Sequence, residues 1–348
     1  MVRNRDATID ILRGLSIFTM VAANMAALVL ASPHPIWFRL YGSFAAPLFI
    51  LISGMMVVFT AHTKGHGLKY FLLRGIMIIT VGALIDVLIW KIYPFTTVDV
   101  LYLIGISLPL AFLFRRLDTL PRWIIVISIF LITPLLQIIL GYTYYPTEFN
   151  LSGEQTIVIE NQTSILNHWV VDGWFPIFPW LGFSLLGVNL AVLRWNRAHT
   201  TFGKNTIFLI GICIMAFGGI IWRFYPGSLL TRAGYSELFY SPTIGYTMTA
   251  IGLIVILFSI VDWKPMVIAY KPLQALGESA LFMYILHLAL IEYIIAPIKP
   301  EQNFQTFLLI YIVLSFLLIS IAYGLRALKT FWKNRPFIIR FLLGSSLW

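Results

Sequence analysis

The feature that most constrains this chain is a series of apolar blocks, each close to the length of a membrane-spanning helix. A helix needs about 20 apolar residues to cross the hydrocarbon core of a bilayer. Only 11% of the residues are charged, and little polar sequence is left between the blocks. We therefore predict an all-α polytopic transmembrane bundle of about ten spans, which forms a single domain over residues 1–348. The spans lie near residues 9–30, 43–61, 70–90, 98–114, 122–141, 173–193, 204–222, 242–261, 276–296 and 305–325.

Basic residues are concentrated on one side of this predicted bundle. If the chain crosses the membrane at each block, 19 of its 24 Lys and Arg residues fall on the side that holds both termini. Because basic residues are retained in the cytoplasm, both termini are predicted to be cytoplasmic. The net charge of +10 then reflects membrane orientation and predicts no nucleic-acid partner. The first block runs beyond the apolar core of a signal peptide, so we expect it to remain as a span.

Two segments outside the spans have a distinct composition. The loop over residues 142–172 is predicted to be extracytoplasmic, and the alternating stretch EQTIVIENQT (residues 154–163) predicts a small hairpin lid within it. The tail over residues 326–348 mixes bases with aromatic and aliphatic residues. We expect this cytoplasmic tail to lie along the inner membrane surface or to act as a solvated basic anchor. The single cysteine, Cys213, has no partner for a disulfide, and no cluster has metal-ligand spacing, so no metal site is predicted.

Ionisable and amide side chains in a span are candidates for function because they are costly to bury in lipid. The first span carries Asp10, Arg13 and Asn24, and His34 follows it between two prolines. Residues 13 and 24 are 11 positions apart, which is about three helical turns and a rise of roughly 16 Å. Arg13 and Asn24 therefore share one face of the helix. The alternatives are an Asp10–Arg13 pair at a helix end, an Asn24 hydrogen bond between helices, and an interfacial His34.

A second group of polar residues lies in the ninth span, which contains Glu278, Tyr284, His287 and Glu292. Tyr284 and His287 are three residues apart and so lie on one helix face. His287 near the middle of the membrane is either part of a site or a structural histidine with a hydrogen bond. Asp86, toward the outer end of the third span, is either a carboxylate that orients an imidazole or one that reaches the outer interface.

These residue types permit transfer of a group across the membrane. An imidazole can act as a general base or carry an acyl group. An asparagine amide can stabilise a developing oxyanion, and cytoplasmic arginines can bind phosphates. Composition permits this chemistry without establishing it.

Five stretches resemble the heparan-α-glucosaminide N-acetyltransferase-like membrane proteins, in the same order along the chain. They are TIDILRGLSIFTMVAANMA, HPIWF, FAAPLFILISGM, FPIFPWLGFSLLGV and LGESALFMYILH. The resemblance implies a multi-span acyltransferase that takes an acetyl group from cytoplasmic acetyl-CoA to an acceptor on the far face of the bilayer. His34 matches the family's catalytic histidine and Asn24 its active-site asparagine. Asp10 and Arg13 match the family's D-x-x-R motif and are assigned to the coenzyme A site. Arg13 is expected to bind the coenzyme A phosphates, together with Arg115, Arg116 or Lys271.

Two departures from the family pattern limit what the resemblance implies. Animal members have an aspartate before the proline of the second span, where this chain has Ser43 and Phe44. The group that orients His34 is therefore open, with Asp86, Glu292, Tyr284 and His287 as candidates for support. The large luminal domain of animal members is absent, so we expect a prokaryotic plasma membrane protein and not a lysosomal enzyme acting on heparan.

The leading hypothesis is acetyl transfer from acetyl-CoA to an amine or a hydroxyl of an extracytoplasmic glycan or glycolipid. The rival hypothesis is a transporter that uses the polar residues as a substrate or proton path. Transporters often carry inverted repeats with broken helices in both halves, and the sequence shows no such pairing. A structural subunit is the third alternative. Members of the family can be dimers, so a homodimer is among the predicted partners, beside the lipid bilayer.

Overall fold

The computed structural model describes residues 6–142, 149–151, 164–195, 201–224, 237–238, 242–332 and 334–344. Within these ranges nine helices are long and apolar enough to cross a membrane, and a shorter apolar helix, Val100–Phe114, makes a tenth. The predicted all-α polytopic bundle is confirmed. In chain order the helices are α1 Ala7–Val29, α2 Ile36–Lys64, α3 Leu68–Trp90, α4 Val100–Phe114, α5 Thr119–Leu140, α6 Ile177–Trp195, α7 Asn205–Phe224, α8 Ile244–Trp263, α9 Ala280–Ile298 and α10 Phe304–Phe331.

The first helix lies in the interior of the bundle. Leu12, Ile17 and Met25 of α1 are completely buried, although α1 is apolar on nearly every face. Helices α5 and α7 lie at the edge of the bundle and expose large aliphatic side chains such as Ile138 and Leu209. Lipid is as apolar as these side chains, so an edge helix loses nothing by exposing them. The burial pattern therefore separates the central helices from those that face the bilayer.

Ion pairs and hydrogen bonds join the helix ends that the predicted topology places together. The Arg194 guanidinium at the end of α6 contacts Asp6, before α1, at 2.8 Å and Asp262, near the end of α8, at 2.7 Å. At the opposite end of the bundle, Ala31 after α1 donates its N–H to the carbonyl of Gln302 before α10 at 2.9 Å. We call the end with Asp6, Arg194 and Asp262 the inner end, and the end with Ala31 and Gln302 the outer end.

The predicted ninth span, 276–296, is interrupted near its start. A short helix, Lys271–Gly277, is followed by its C-cap residue Glu278, and α9 begins at Ala280. A helix that ends leaves its last carbonyls without intrahelical partners, and cations favour that end. Arg13 donates to the Gly277 carbonyl at 3.4 Å, and Lys329 of α10 donates to the Glu278 carbonyl at 3.0 Å. The break therefore creates the attachment point for the inner half of α1.

Close backbone contact holds α1 against the Lys271–Gly277 helix. A Cβ atom on Gly277 would lie 1.9 Å from the carbonyl oxygen of Asp10, and one on Gly14 would lie 1.7 Å from that of Leu273. Both glycines are required because a larger residue would push the two helices apart. The contact fixes the Asp10–Arg13 turn relative to the helix break.

The two segments outside the spans are described in part. The predicted hairpin at residues 154–163 lies outside the described residues. Residues 164–172 of the same loop form helical segments in which His168 and Asp172 are buried. In the tail, α10 continues to Phe331, and a further helix, Phe337–Leu343, buries Phe341 and Leu343 at the inner end.

Candidate active site

A cavity of about 170 Å³ opens at the inner end of the bundle and contains two arginines. Arg13 of α1 lies 3.5 Å from the Asp10 carboxylate, and both side chains line the cavity. Arg74 of α3 donates to the Tyr70 hydroxyl at 3.4 Å and lies over the Phe341 ring, 5.5 Å from its centre. The tail helix therefore forms part of the cavity wall. Besides the two guanidinium groups, the carboxylate residues Asp6, Asp10 and Glu278 line the cavity, and its remaining lining is mostly apolar.

The predicted phosphate ligands occupy different places relative to this inner cavity. Asp10 and Arg13 line it, whereas Lys271 is exposed and is not among its lining residues. Arg115 and Arg116 follow α4 and lie over the ring of Phe112, 4.4 Å and 4.9 Å from its centre. Phe112 in turn stacks on Phe71, a lining residue, so the two arginines flank the cavity behind its aromatic wall.

The arginine pair after α4 concentrates positive charge at the inner end. Burial lowers the pKa of the Arg115 guanidinium, and the neighbouring charge of Arg116 lowers it further. Two like charges held this close favour an anion between or beside them.

Arg74 is a cavity residue that sequence reasoning counted only as a cytoplasmic charge. It lies about one turn inside the apolar block that starts at residue 70, and this position is the signal that could have identified it.

A second cavity of about 180 Å³ lies toward the outer end and is lined by acidic and aromatic side chains. Asn24 faces it from α1. The acidic lining residues are Asp86, Asp99 and Glu237, and the aromatic ones are Trp90, Trp174, Phe175 and Tyr284. No lysine, arginine or histidine is among the described residues that line it. The outer cavity therefore has the charge and surface expected for a cationic, ring-bearing ligand.

Asn24 and His287 are brought together across α1 and α9. The Asn24 Nδ2 atom lies 3.0 Å from His287 Nε2, and His287 Nδ1 lies 2.9 Å from the Met283 carbonyl. A carbonyl can only accept, so Nδ1 carries the proton and Nε2 accepts from the asparagine amide. His287 is fully buried, and its ring packs against Tyr284 at 5.5 Å between centres. The histidine thereby fixes the orientation of the Asn24 amide.

Two aspartates of the outer cavity are each bound by a tyrosine. The Tyr284 hydroxyl lies 3.2 Å and 3.3 Å from the two carboxylate oxygens of Asp99. The Tyr102 hydroxyl donates to Asp86. Asp99 also caps α4 by accepting the N–H of Leu101 at 3.0 Å. An aspartate just before an apolar block is a common helix cap, and the sequence analysis did not single out Asp99.

His34 lies in the connection between α1 and α2 at the outer end. Its Nε2 atom donates to the Leu30 carbonyl at 3.0 Å, and the side chain is half-buried. His34 is not among the described residues that line the outer cavity, in contrast to Asn24. Ser43, which stands near the family's aspartate position, donates to the Arg39 carbonyl at 2.6 Å and accepts the N–H of Leu238 at 2.7 Å. Glu292 lies in a π-helical turn of α9 and is half-buried.

The inner and outer cavities are lined by the same five helices, α1, α2, α3, α4 and α9. On α2 the inner cavity reaches Phe49 and the outer one Ala46. On α9 the inner cavity reaches Leu281 and the outer one Tyr284. These three-residue gaps correspond to a rise of about 4.5 Å. On α1, however, the gap runs from Arg13 to Met20, and on α3 from Ile78 to Asp86, so the partition is about two turns thick on that side.

Such a bundle defines a multi-pass membrane protein with one cavity toward each face and the half-buried amide of Asn24 in the outer cavity. The sequence matches the family model described as heparan-alpha-glucosaminide N-acetyltransferase, catalytic, over residues 5–221. The match covers more than half of the chain, which therefore belongs to this family and is a membrane acetyltransferase. No curated protein matches the chain. The matched region includes Arg13, Asn24 and Asp99, whereas His287 lies beyond it.

The family membership confirms the resemblance found in the sequence and favours an acyltransferase over a transporter or a structural subunit. Members of the family use acetyl-CoA as co-substrate. Within the described ranges no group of three or more His, Cys, Asp and Glu side chains could hold a metal ion.

Proposed function

We propose that this protein transfers an acetyl group from cytoplasmic acetyl-CoA in the inner cavity to an acceptor in the outer cavity. The acceptor is an amine or hydroxyl of an extracytoplasmic glycan or glycolipid, and the lining of the outer cavity favours the amine. The observation that carries the proposal is the end-to-end arrangement of two cavities on the same five helices, with Arg13 of α1 lining the inner cavity and Asn24 of α1 lining the outer one.

The inner cavity suits the phosphate-bearing end of coenzyme A. Arg13 and Arg74 line it, and Arg115 and Arg116 lie behind its aromatic wall. Guanidinium groups bind phosphate oxygens in pairs, so this set would hold the phosphates at the cytoplasmic surface. The apolar part of the cavity, including Phe49 and Leu281, would surround the pantetheine arm on its way to Asn24.

The outer cavity suits an amino sugar. The carboxylates of Asp86, Asp99 and Glu237 would attract an ammonium group, and the apolar surroundings would strengthen this attraction, whereas Arg39 also acts on Glu237. Trp90 and Trp174 offer apolar faces for a sugar ring, and they also favour a cation. A neutral hydroxyl acceptor would gain nothing from the three negative charges.

Asn24 is placed to contact the thioester and the acceptor together. One of its amide N–H groups is used by His287, which leaves a second N–H and the Oδ1 atom for ligands. The amide would then donate to the thioester oxygen as negative charge develops there. The resemblance assigns His34 as general base or acyl carrier, and with Nε2 donating to Leu30 the atom available for either role is Nδ1. The prokaryotic plasma membrane, the cytoplasmic side of both termini and a homodimer stay predictions.

The experiment compares the purified full-length protein with Asn24→Ala in detergent, using acetyl-CoA as donor and glucosamine as acceptor. We expect Asn24→Ala to bind acetyl-CoA as the wild type does and to release coenzyme A about 100-fold more slowly. Asn205→Ala is the control, because Asn205 is an exposed residue at the start of α7. A folded wild-type protein that binds no acetyl-CoA would contradict the proposal.

A further inference from the structure

We infer that the Asp99 carboxylate is the base that takes the proton from the acceptor's ammonium group. This inference rests on the proposed function, because it names the group that completes the same reaction. An amine that enters an acidic cavity is protonated and cannot attack a thioester until it loses a proton. A base must therefore face the outer cavity, close to Asn24. The family resemblance offers His34 for this role, but His34 does not line the outer cavity in the described part of the chain.

Asp99 is the most accessible of the three carboxylates that line this cavity. Asp86 is completely buried and Glu237 is 6% exposed, whereas Asp99 is half-buried and presents surface to the cavity. The Asp86 carboxylate accepts a hydrogen bond from the Tyr102 hydroxyl. Asp99 thus lines the cavity and is the least buried residue of the three. Asp86 and Glu237 supply the surrounding negative charge that attracts an ammonium group.

The position of Asp99 is fixed from two directions. The N–H of Leu101 holds one carboxylate oxygen at the start of α4, and the Tyr284 hydroxyl reaches both oxygens from α9. Tyr284 also packs against His287, which binds Asn24. One turn of α9 thus carries the side chains that hold both Asp99 and Asn24 in the lining of the outer cavity. In the proposed reaction Asn24 contacts the thioester and Asp99 contacts the amine.

The environment of Asp99 makes its carboxylate a better base than an ordinary aspartate. Burial raises the pKa of the Asp99 carboxyl, and the hydrogen bonds from Leu101 and Tyr284 oppose that shift. The charged and titratable groups that interact with Asp99 are Tyr284 and Tyr102, with Asp86 acting on the same tyrosines. A base is most effective when its pKa lies near the working pH.

The reaction balances with Asp99 in this role. The carboxylate removes one proton from the ammonium group, and the neutral amine nitrogen attacks the thioester carbon. The new C–N bond forms as the C–S bond breaks, and the departing sulfur takes the second proton of the nitrogen as coenzyme A thiol. Asp99 then returns the first proton to water on the outer side. This assignment leaves His34 with a role other than taking the acceptor's proton.

The test compares wild type with Asp99→Asn in detergent, with acetyl-CoA as donor and two acceptors. The assay pH lies below the pKa of the glucosamine ammonium group, so glucosamine is largely protonated, whereas methoxyamine, a much weaker base, is neutral at the same pH. The asparagine variant keeps the size of the side chain and can still accept from Leu101 and Tyr284, because asparagine caps helices as well as aspartate does. We expect kcat/KM for glucosamine to fall about 100-fold or more, and kcat/KM for methoxyamine to fall about tenfold or less.

The pH profile separates a base from a structural cap. The wild-type rate with glucosamine should fall on acidification through the raised pKa of Asp99, and this acid limb should be absent in Asp99→Asn. Tyr284→Phe removes a hydrogen bond that lowers the pKa of Asp99, so the acid limb should move to higher pH. Equal losses with both amines, or no loss with either, would overturn the assignment while leaving the proposed function intact. A wild type that releases no coenzyme A with either amine would overturn both.

Discussion

Arg74 provides the sharpest test of where the donor binds. It lines the inner cavity beside Arg13, lies over the Phe341 ring and donates to the Tyr70 hydroxyl. Arg74→Gln removes the charge while keeping a polar side chain of similar reach. If the coenzyme A phosphates bind at this position, the variant should have a raised KM for acetyl-CoA and a nearly unchanged kcat. The kcat is expected to stay nearly unchanged because Arg74 lines the inner cavity, whereas Asn24 lines the outer one.

The size of the effect follows from the surroundings of Arg74. A hydrogen bond from a charged donor contributes about 1.5–3 kcal/mol, which is roughly a 10- to 100-fold change in a binding constant. Arg74 is half-buried, so water and salt weaken the full Coulomb attraction. We therefore expect the KM for acetyl-CoA to rise about tenfold at moderate salt, and more at low salt.

The assay is steady-state release of coenzyme A over a range of acetyl-CoA concentrations, with dephospho-coenzyme A as a competitor. Lys271→Gln is the matched control, because Lys271 is a predicted phosphate ligand that is exposed and does not line the inner cavity. The control should change the KM less than about twofold. The reasoning is refuted if Lys271→Gln raises the KM as much as Arg74→Gln, or if Arg74→Gln lowers kcat and leaves the KM unchanged.

Two further predictions concern the contacts that hold the inner half of the bundle. Gly277→Ala should destabilise the protein by about 1–3 kcal/mol because its Cβ would lie 1.9 Å from the Asp10 carbonyl. Gly324→Ala, where a Cβ would meet nothing within 4 Å, should leave the unfolding temperature unchanged or raise it. Arg194→Gln should cost about 3 kcal/mol or more, since it leaves buried carboxylates at the inner end without their cation. The exposed Arg223→Gln is its control, and fluorescence-detected thermal unfolding in detergent measures all four variants.

Most of the fold follows from hydropathy because spans are set by length and apolar content alone. The ten predicted blocks correspond to ten helices, and the pairing of helix ends agrees with their alternation across the membrane. The break at Glu278 was missed, because the predicted span 276–296 runs through Gly277, Glu278 and Ser279 and treats Glu278 only as a polar residue within one helix. What ends the Lys271–Gly277 helix is tertiary contact, namely the cations Arg13 and Lys329 that take its last carbonyls. Arg13 lies 264 positions from Gly277 and Lys329 lies 51 positions from Glu278, and the periodicity of one helix gives no signal at such separations.

The candidate site could be predicted where a single helix carries the pattern. Spacing alone puts Arg13 and Asn24 on one face of α1, and the structure places them in the inner and outer cavities. The Asn24–His287 contact joins residues 263 positions apart, so the sequence could suggest His287 only as a costly polar residue in a span. Asp99 was missed because it lies at the start of the predicted span 98–114, where an aspartate that caps a helix has no distinguishing sequence pattern. Its second partner, Tyr284, is visible only in the folded chain.

The pairing of α1 with the chain from Lys271 to Leu290 links the two halves of the proposed reaction. Arg13 binds the Gly277 carbonyl at the inner end, and Asn24 binds His287 at the outer end. The interval is 11 residues on α1 and 10 on the partner chain, which includes the helix break at Glu278. In the proposed reaction the donor's phosphates bind at Arg13. The two helices, joined at both ends, then fix the distance between those phosphates and Asn24. Since close-packed helices have discrete arrangements, a shift of either contact would move the thioester away from Asn24 and Asp99 together.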